Sequence, residues 1–338
     1  MSHDLSVLAV YGRDHRVGAL VADFPPGLVV GRVTRVDRGR VSVVTESGVL
    51  RPRPRDALAV GDWVGVDLAI DCVAAVAPRW SALTRHAAGL ETVGQTLAAN
   101  IDVVVVVQAL NKALNVRRLE RELVFAWESG AVPLVVLTKA DMCADADAEA
   151  AAARDAASGV DVVAVSAVTG WGINKLVERL GVARTFVIIG ASGVGKSTLI
   201  NRLAGAELQD TGGIRLTDGR GRHTTTAAQL VVVSGGPILI DTPGLRELAL
   251  WDGDNAVNVV FADIEELSLL CRFGDCQHAS EPDCAVRDAV DRERIESWRK
   301  LRRELERVAG DRAGWQKAEA NRARRNFGRA LKRQPYRP

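Results

Sequence analysis

Aromatic side chains make up only 4% of this 338-residue chain, and lysine is rarer still, with seven lysines against 37 arginines. So few rings limit any nucleic-acid surface that relies on successive base stacking. No apolar run nears the roughly 20 residues a membrane-spanning helix needs; the longest aliphatic run is Val103 to Val107. The N-terminus, MSHDLSVLAVYGRDHRVG, lacks a basic start followed by a sustained apolar segment. A cytoplasmic protein with no membrane partner is therefore expected. Five cysteines is an odd number, and three of them fall within fourteen residues, which in a cytoplasmic chain favours a metal over disulfides.

With 47% hydrophobic and 25% charged residues, the composition is that of a soluble globular protein, long enough for two or three domains. The net charge is only +2, yet residues 317–338 carry eight Lys or Arg and a single acid, Glu319. Such a basic tail suits an anionic partner such as nucleic acid, or is simply a solvated tail.

The first 80 or so residues read as all-β. LVVGRVTRVDRGRVSVVTE alternates apolar and polar positions around Gly39, and GDWVGVD and CVAAVAPR add short strands, as in a compact five-stranded barrel. RPRPRD spaces Arg51, Arg53 and Arg55 by prolines; the loop is either an RNA contact or an exposed connection. Residues 79–100 read as a linker. Beyond them, IDVVVVVQAL, AVPLVVLT, VDVVAVSA, TFVIIG and PILID alternate with helix-like stretches. Continuous apolar strands separated by helices predict a parallel sheet covered on both faces. An Ala/Asp-rich surface helix is expected over 144–157. Further on, Ile295, Trp298, Leu301, Leu305 and Val308 form a stripe at helical spacing.

Gly190, Gly195, Lys196 and Ser197 complete G-x-x-x-x-G-K-[ST] between the strand TFVIIG and the helix STLINRLAG, the context the motif requires. Backbone N–H groups from Gly190, Ala191, Ser192, Gly193, Val194 and Gly195 would wrap phosphates, with Thr198 one step along the helix. Lys196 would reach the β- and γ-phosphates and Ser197 would ligate Mg²⁺. DTPG, 45 residues past Lys196, ends the strand PILI. It places Asp241 to hold Mg²⁺ through water and the Gly244 N–H to sense the γ-phosphate.

TKAD at 138–141 also ends a strand. Asp141 can accept hydrogen bonds from the N1–H and amino group of guanine, which adenine lacks, and Lys139 would lie along the base. Thr138 opens the motif, and Ser166-Ala167 supply a second guanine-supporting loop. Together these favour GTP over ATP. The base-reading motifs thus precede the phosphate-reading ones, a circular permutation. The loops still converge, because ligands bind at the carboxyl ends of the strands whatever the chain order. Between the phosphate loop and DTPG, the polar segment QDTGGIRLTDGRGRHTTTAA has the composition of a first switch, in which one threonine of Thr224, Thr225 and Thr226, with Thr225 taken as the candidate, is the expected Mg²⁺ ligand. The residue after Gly244 is Leu245, which cannot orient a water as glutamine does. His223 is the expected catalytic substitute, beside the reading of it as a structural or exposed histidine.

Cys271-x4-Cys276-x-His278-x5-Cys284 matches a closed tetrahedral Zn²⁺ site of the structural kind, with one ion and no open position. Cys72 and Cys143 are expected as buried small residues.

These residues taken together resemble the ribosome small subunit-dependent GTPase A family, circularly permuted GTPases of small-subunit assembly. The likeness covers nearly the whole chain: the N-terminal barrel, AANID, TKAD, VSAVTGWG, GASGVGKSTLIN, GRHTTT, DTPG and CRFGDCQH. It implies an OB-fold barrel over 1–86 that touches small-subunit rRNA. A permuted α/β P-loop GTPase domain would follow over 87–252, and a helical zinc domain with the basic tail over 253–338. It further implies GTP hydrolysis to GDP stimulated by the small ribosomal subunit, and fits both Leu245 and His223. TKAD departs from the commoner NKxD and leaves the asparagine contacts in question. A GTP-dependent RNA-binding switch or scaffold with incidental hydrolysis, and a permuted GTPase acting on another RNA, remain alternatives. Nothing in the sequence calls for self-association, so a monomer is expected.

Overall fold

The computed structural model describes residues 6–85, 95–157, 159–205, 228–233, 235–242, 250 and 253–310. The chain divides into two compact units, Met1–Arg85 with Gln95–Leu248, and His86–Gly94 with Ala249–Pro338.

In the first unit, the alternating stretch around Gly39 forms β1 (Val29–Asp37) and β2 (Arg40–Thr45). Asp37 pairs with Arg40, and Gly39 sits at φ +76°, in the left-handed region that a two-residue hairpin turn demands. β3 (Gly48–Leu50) pairs with β2, β4 (Trp63–Asp67) pairs with β1, and β5 (Cys72–Val76) pairs with β4. A parallel bridge from Arg53 to Cys72 closes the ring, giving a five-stranded barrel of the OB type. Val33, Val41, Val43, Val64, Val66 and Val73 fill it, so aliphatic side chains do the work that scarce aromatics do not.

The all-β expectation fails before Val29. Val7–Val10 and His15–Val21 are helices, α1 and α2. Asp14 caps α2 by accepting from the Val17 N–H at 2.9 Å. Helices this short are not stable on propensity; Leu8, Val17 and Val21 are held by packing with Trp63 and Ala77. The linker expectation also needs correction. Ala82–Arg85 and Gln95–Ala99 are antiparallel strands, β6 and β7. The Ala82 N–H bonds Ser129 O at 2.8 Å and the Ala99 N–H bonds Val60 O at 2.9 Å, so the two described ends of this segment are paired rather than free.

The apolar runs become β8 (Val103–Ala109), β9 (Val132–Thr138), β10 (Asp161–Ala164), β11 (Thr185–Gly190), β12 (Gln229–Val232) and β13 (Ile238–Asp241). Their order is β10-β9-β8-β11-β13-β12, parallel except for β12. Between them lie α3 (Val116–Glu128), α4 (Ala146–Ala156), α5 (Ile173–Leu180) and α6 (Lys196–Ala204). Val103, Val105 and Val107 pack with Leu176 and Leu180 of α5 and with Leu199 and Leu203 of α6. The buried residues of α3 include Leu119 and Leu123, and this helix packs on β8 and β9. Helices on both faces explain why β8 reads as unbroken valine. Arg35 of β1 pairs with Gln229 of β12, joining barrel and parallel sheet into one eleven-stranded sheet.

The second unit is helical, with α7 (Asp254–Val260), α8 (Ala262–Ser268), α9 (Ala285–Ala289) and α10 over 292–310. The expected stripe lies on α10, where Ile295, Leu301 and Leu305 are buried and Trp298 and Val308 half-buried. Cys72 is buried as expected; Cys143 is only half-buried, because it follows the last residue of a short 3₁₀ turn (Ala140–Met142) at the sheet edge.

Candidate functional site

The phosphate loop leaves the carboxyl end of β11 and enters α6. Gly190, Gly193 and Gly195 hold φ of +142°, +80° and +93°, which residues with a Cβ adopt only with strain. At Gly190 a Cβ would also lie 2.5 Å from Val107 O on the neighbouring strand. Lys196 folds onto this loop, donating to Gly190 O at 2.8 Å and to Ala191 O at 2.6 Å. Its ammonium therefore sits over the hollow that an anion would fill. Ser192, Ser197 and Thr198 are exposed, while Val194 is buried beneath the loop.

The base-reading motifs meet the same loop. Thr138 at the end of β9 donates to Val194 O at 2.5 Å and to Gln108 O at 3.2 Å. A threonine hydroxyl thus ties the motif to the phosphate loop, the tether that the missing asparagine had left in question. Lys139 lies at φ +59°, and its ammonium donates to Gly193 O at 2.8 Å and to Asn111 Oδ1 at 3.4 Å. The Ser166 hydroxyl donates to Asp141 Oδ1 at 2.5 Å and accepts from the Thr169 N–H at 3.1 Å. Asp141 is exposed, so its second carboxylate oxygen is open to a ligand, and Ala167 follows Ser166 half-buried. Thr138, Lys139, Asp141, Ser166 and the loop 190–197 therefore stand together at one sheet edge. Asp241 ends β13. His223, Thr225, Gly244 and Leu245 lie outside the described residues.

Three supports escaped the sequence reading. Gln108 on β8 donates to a buried carboxylate, Glu122 of α3, at 2.7 Å. Glu122 falls on the apolar stripe with Leu119, Leu123 and Ala126; an acid at that helical spacing was the available signal. Burial pushes its carboxyl up to about 7, against the pull of Arg118, Gln108 and Lys196. The second is Arg32 of β1, fully buried and held down to about 10 by desolvation. It donates to Tyr11 O at 2.7 Å, Gly61 O at 3.3 Å, Asn100 O at 3.2 Å and Thr185 Oγ1 at 2.8 Å. The third is Asp102, which accepts from the Thr185 N–H at 2.8 Å and from Arg16 at 2.7 Å. Thr185 begins the strand that ends in the phosphate loop.

In the second unit Cys271, Cys276, His278 and Cys284 bring their donor atoms within 4.8 Å of one another. His278 Nδ1 lies 3.4 Å from Cys284 Sγ and 3.7 Å from Cys271 Sγ, and the two sulfurs are 4.0 Å apart. A tetrahedron with metal–sulfur bonds of about 2.3 Å has edges of about 3.8 Å, so the donor set fits a four-coordinate ion. Glu281 fastens the intervening loop by accepting from the N–H groups of Gln277, Ala279 and Ser280 at 3.0, 2.7 and 2.9 Å. The His278 ring lies 5.2 Å from that of Trp298, whose indole N–H bonds Glu265 at 3.0 Å.

Residues 76–251 match the family model described as RsgA GTPase. Small ribosomal subunit biogenesis GTPase RsgA of Streptomyces coelicolor is 46% identical over 322 residues, covering 90% of this chain and 88% of that protein. Its namesake in Streptomyces avermitilis is 46% identical over 309 residues, with 85% and 83% covered. Among solved structures, YjeQ of Thermotoga maritima aligns with a TM-score of 0.61 at 26% identity, covering 82% of this chain and 98% of that one. YloQ, described as a circularly permuted GTPase, aligns with a TM-score of 0.59 at 22% identity over 84% and 97%, a likeness of fold. The family match runs through the whole permuted domain and close relatives match along most of its length: the chain belongs to the RsgA GTPase family.

Proposed function

We propose that this protein hydrolyses GTP during late maturation of the small ribosomal subunit, and that docking on the subunit stimulates turnover. The observation that carries this reading is that Thr138, Lys139 and Lys196 all bond carbonyls of one loop, with the Ser166–Asp141 pair beside them at the same sheet edge, in a chain whose relatives are named for small-subunit biogenesis. Lys196 reaches the β- and γ-phosphates, while N–H groups of residues 190–195 and the first turn of α6, with Thr198, receive the remaining oxygens. Asp141 accepts from the guanine edge, Lys139 lies along the ring, and Ser166-Ala167 brace Asp141. Ser197 and Thr225, with Asp241, would hold Mg²⁺, which would supply positive charge against that developing on the phosphates. The Gly244 N–H contacts the γ-phosphate. His223 orients the attacking water in place of the glutamine that Leu245 replaces.

The barrel over 1–86, with Arg51, Arg53 and Arg55, meets small-subunit rRNA chiefly through phosphates. In the domain over 253–338, one Zn²⁺ on Cys271, Cys276, His278 and Cys284 plays a structural part, since four protein ligands leave no position for substrate. The basic tail adds a further phosphate contact. A monomer working in the cytoplasm fits this task; among the described residues no helix is long and apolar enough to cross a membrane.

The test is GTP turnover with and without small subunits, with ATP and large subunits as controls. A rise of orders of magnitude with small subunits alone supports the reading. Tight GTP-dependent binding without stimulation points to a switch, and no binding sends the search to another RNA. Loss of the stimulated rate in His223→Ala assigns the histidine; an unchanged rate removes it.

A further inference from the structure

Glu122 is an anomaly of placement. α3 packs on β8 and β9; two of its carboxylates are buried, Glu120 and Glu122, and Glu122, 7% exposed, is the one that lies among Leu119, Leu123 and Ala126 and meets β8 through Gln108. One oxygen accepts from Gln108 Nε2 at 2.7 Å, and the other lies 3.6 Å from Arg118 Nε, one turn earlier on the helix. Among the described residues the charged groups facing it are Arg118 from its own helix and Lys196 from the phosphate loop. β9 carries no charged residue, and the buried face of α4 is Ala150 and Ala153.

Lys196 is the one of these charges that bound phosphates would meet directly. It lies on Gly190 O and Ala191 O, and its field favours the ionised form of Glu122. Bound phosphates surround the ammonium with negative charge and cancel that field. A buried carboxylate that loses a neighbouring cation gains affinity for a proton. Gln108 is the geometric relay, since its side chain holds Glu122 while its carbonyl accepts from Thr138, which also bonds Val194 in the loop.

We propose that Glu122 is a positioning residue of the nucleotide site that takes up a proton when guanine nucleotide binds, so that binding and protonation are linked. The inference rests on the nucleotide-site reading above. Its sign follows from linkage: a complex that holds more protons than the free protein binds more tightly as pH falls. Because the free carboxyl titrates at about 7, the effect belongs to the range above pH 7, up to the raised value in the complex. One full proton corresponds to about tenfold in affinity per pH unit.

The experiment is calorimetric titration of GDP·Mg²⁺ into the full chain at pH 6.5 to 8.5. Two buffers of different ionisation enthalpy are used, with wild type and Glu122→Gln in parallel. Wild type is expected to take up a sizeable fraction of a proton, and its affinity to fall several-fold more steeply with pH than that of the variant. Glu122→Gln keeps the hydrogen bond to Gln108 and should bind with an unchanged proton count in both buffers. Glu122→Asp, which retains the charge, tests rescue of the linkage should the amide variant fold poorly. Equal proton uptake in wild type and Glu122→Gln overturns the inference while leaving the nucleotide site intact. No binding of GDP by wild type overturns the nucleotide site itself.

Discussion

Arg32 and Thr185 meet at 2.8 Å across the seam between barrel and parallel sheet. The guanidinium comes from the first barrel strand and is fully buried; the hydroxyl belongs to the first residue of the strand that ends in the phosphate loop. The same arginine satisfies carbonyls of Tyr11, Gly61 and Asn100. One planar fork therefore fastens four segments of chain. Each acceptor would be costly to leave unpaired in a dry interior.

Arg32→Met is expected to lower stability by about 3–5 kcal/mol, from several unpaired buried carbonyls and a partly filled cavity. Arg32→Lys should recover less than half of that, because an ammonium cannot present the fork geometry to four acceptors. Urea unfolding followed by tryptophan fluorescence measures both. Midpoints within experimental error of wild type would show that the seam does not depend on this residue.

Thr138→Val keeps the shape of the side chain and removes the hydroxyl shared by Gln108 O and Val194 O. Losing these bonds should cost about 1–2 kcal/mol of nucleotide binding, or about 5- to 30-fold in Kd. Competition with a fluorescent GDP reads the change. Thr138→Asn, which restores the asparagine of the NKxD pattern, should bind at least as well as wild type. If both variants bind as wild type does, the tether has no part in holding the loop.

Asp141→Asn turns an acceptor of guanine N–H groups into a mixed donor and acceptor, which suits the 2-oxo group of xanthine. GTP affinity should drop by about 100-fold or more and xanthosine triphosphate should bind in its place, since a site built for one polar edge rejects the base that lacks it. Ser166→Ala removes the hydroxyl that holds Asp141 at 2.5 Å and should weaken GTP less, with no gain for xanthosine triphosphate. Equal affinities of Asp141→Asn for the two nucleotides would show that the base is read elsewhere.

The parts legible in the sequence are those with short-range causes. Unbroken valine in β8 reports burial on both faces, the two glycines of G-x-x-x-x-G-K-S report backbone positions with positive φ, and Cys/His spacing reports a donor set. What escaped has long-range causes. α1 and α2 are too short to announce themselves and exist because Trp63, far along the chain, covers them. β6 and β7 pair with each other and with Ser129 and Val60, contacts that no local pattern encodes. Arg32 sits in an alternating strand where an arginine ordinarily points to solvent, and its four acceptors lie up to 153 positions away.

The metal loop carries the last prediction. Cys276→Ala removes one of four donors and should leave the purified protein without its stoichiometric zinc, measured by atomic emission. Structural zinc contributes roughly 10–16 kcal/mol apparent in small finger peptides. This unit also buries Phe261, Ile264, Ile295, Leu301 and Leu305, so α10 should retain part of its helicity when the loop 271–284 opens. Glu281 bears on how the ion leaves. Its own amide, with those of Gln277, Ala279 and Ser280, holds its carboxyl down to about 2. The sign for a depressed acid is that its support is present above the ordinary carboxylate range and lost only as pH falls through the depressed value. The loop therefore stays fastened while the thiolates and His278 take up protons, and acid release of zinc should follow ligand protonation in wild type. Glu281→Gln cannot offer two carboxylate oxygens to three N–H groups, so it should shed zinc at a higher pH and faster to a chelator. Identical release profiles for the two proteins would show that the clasp of Glu281 on the loop does not govern metal retention.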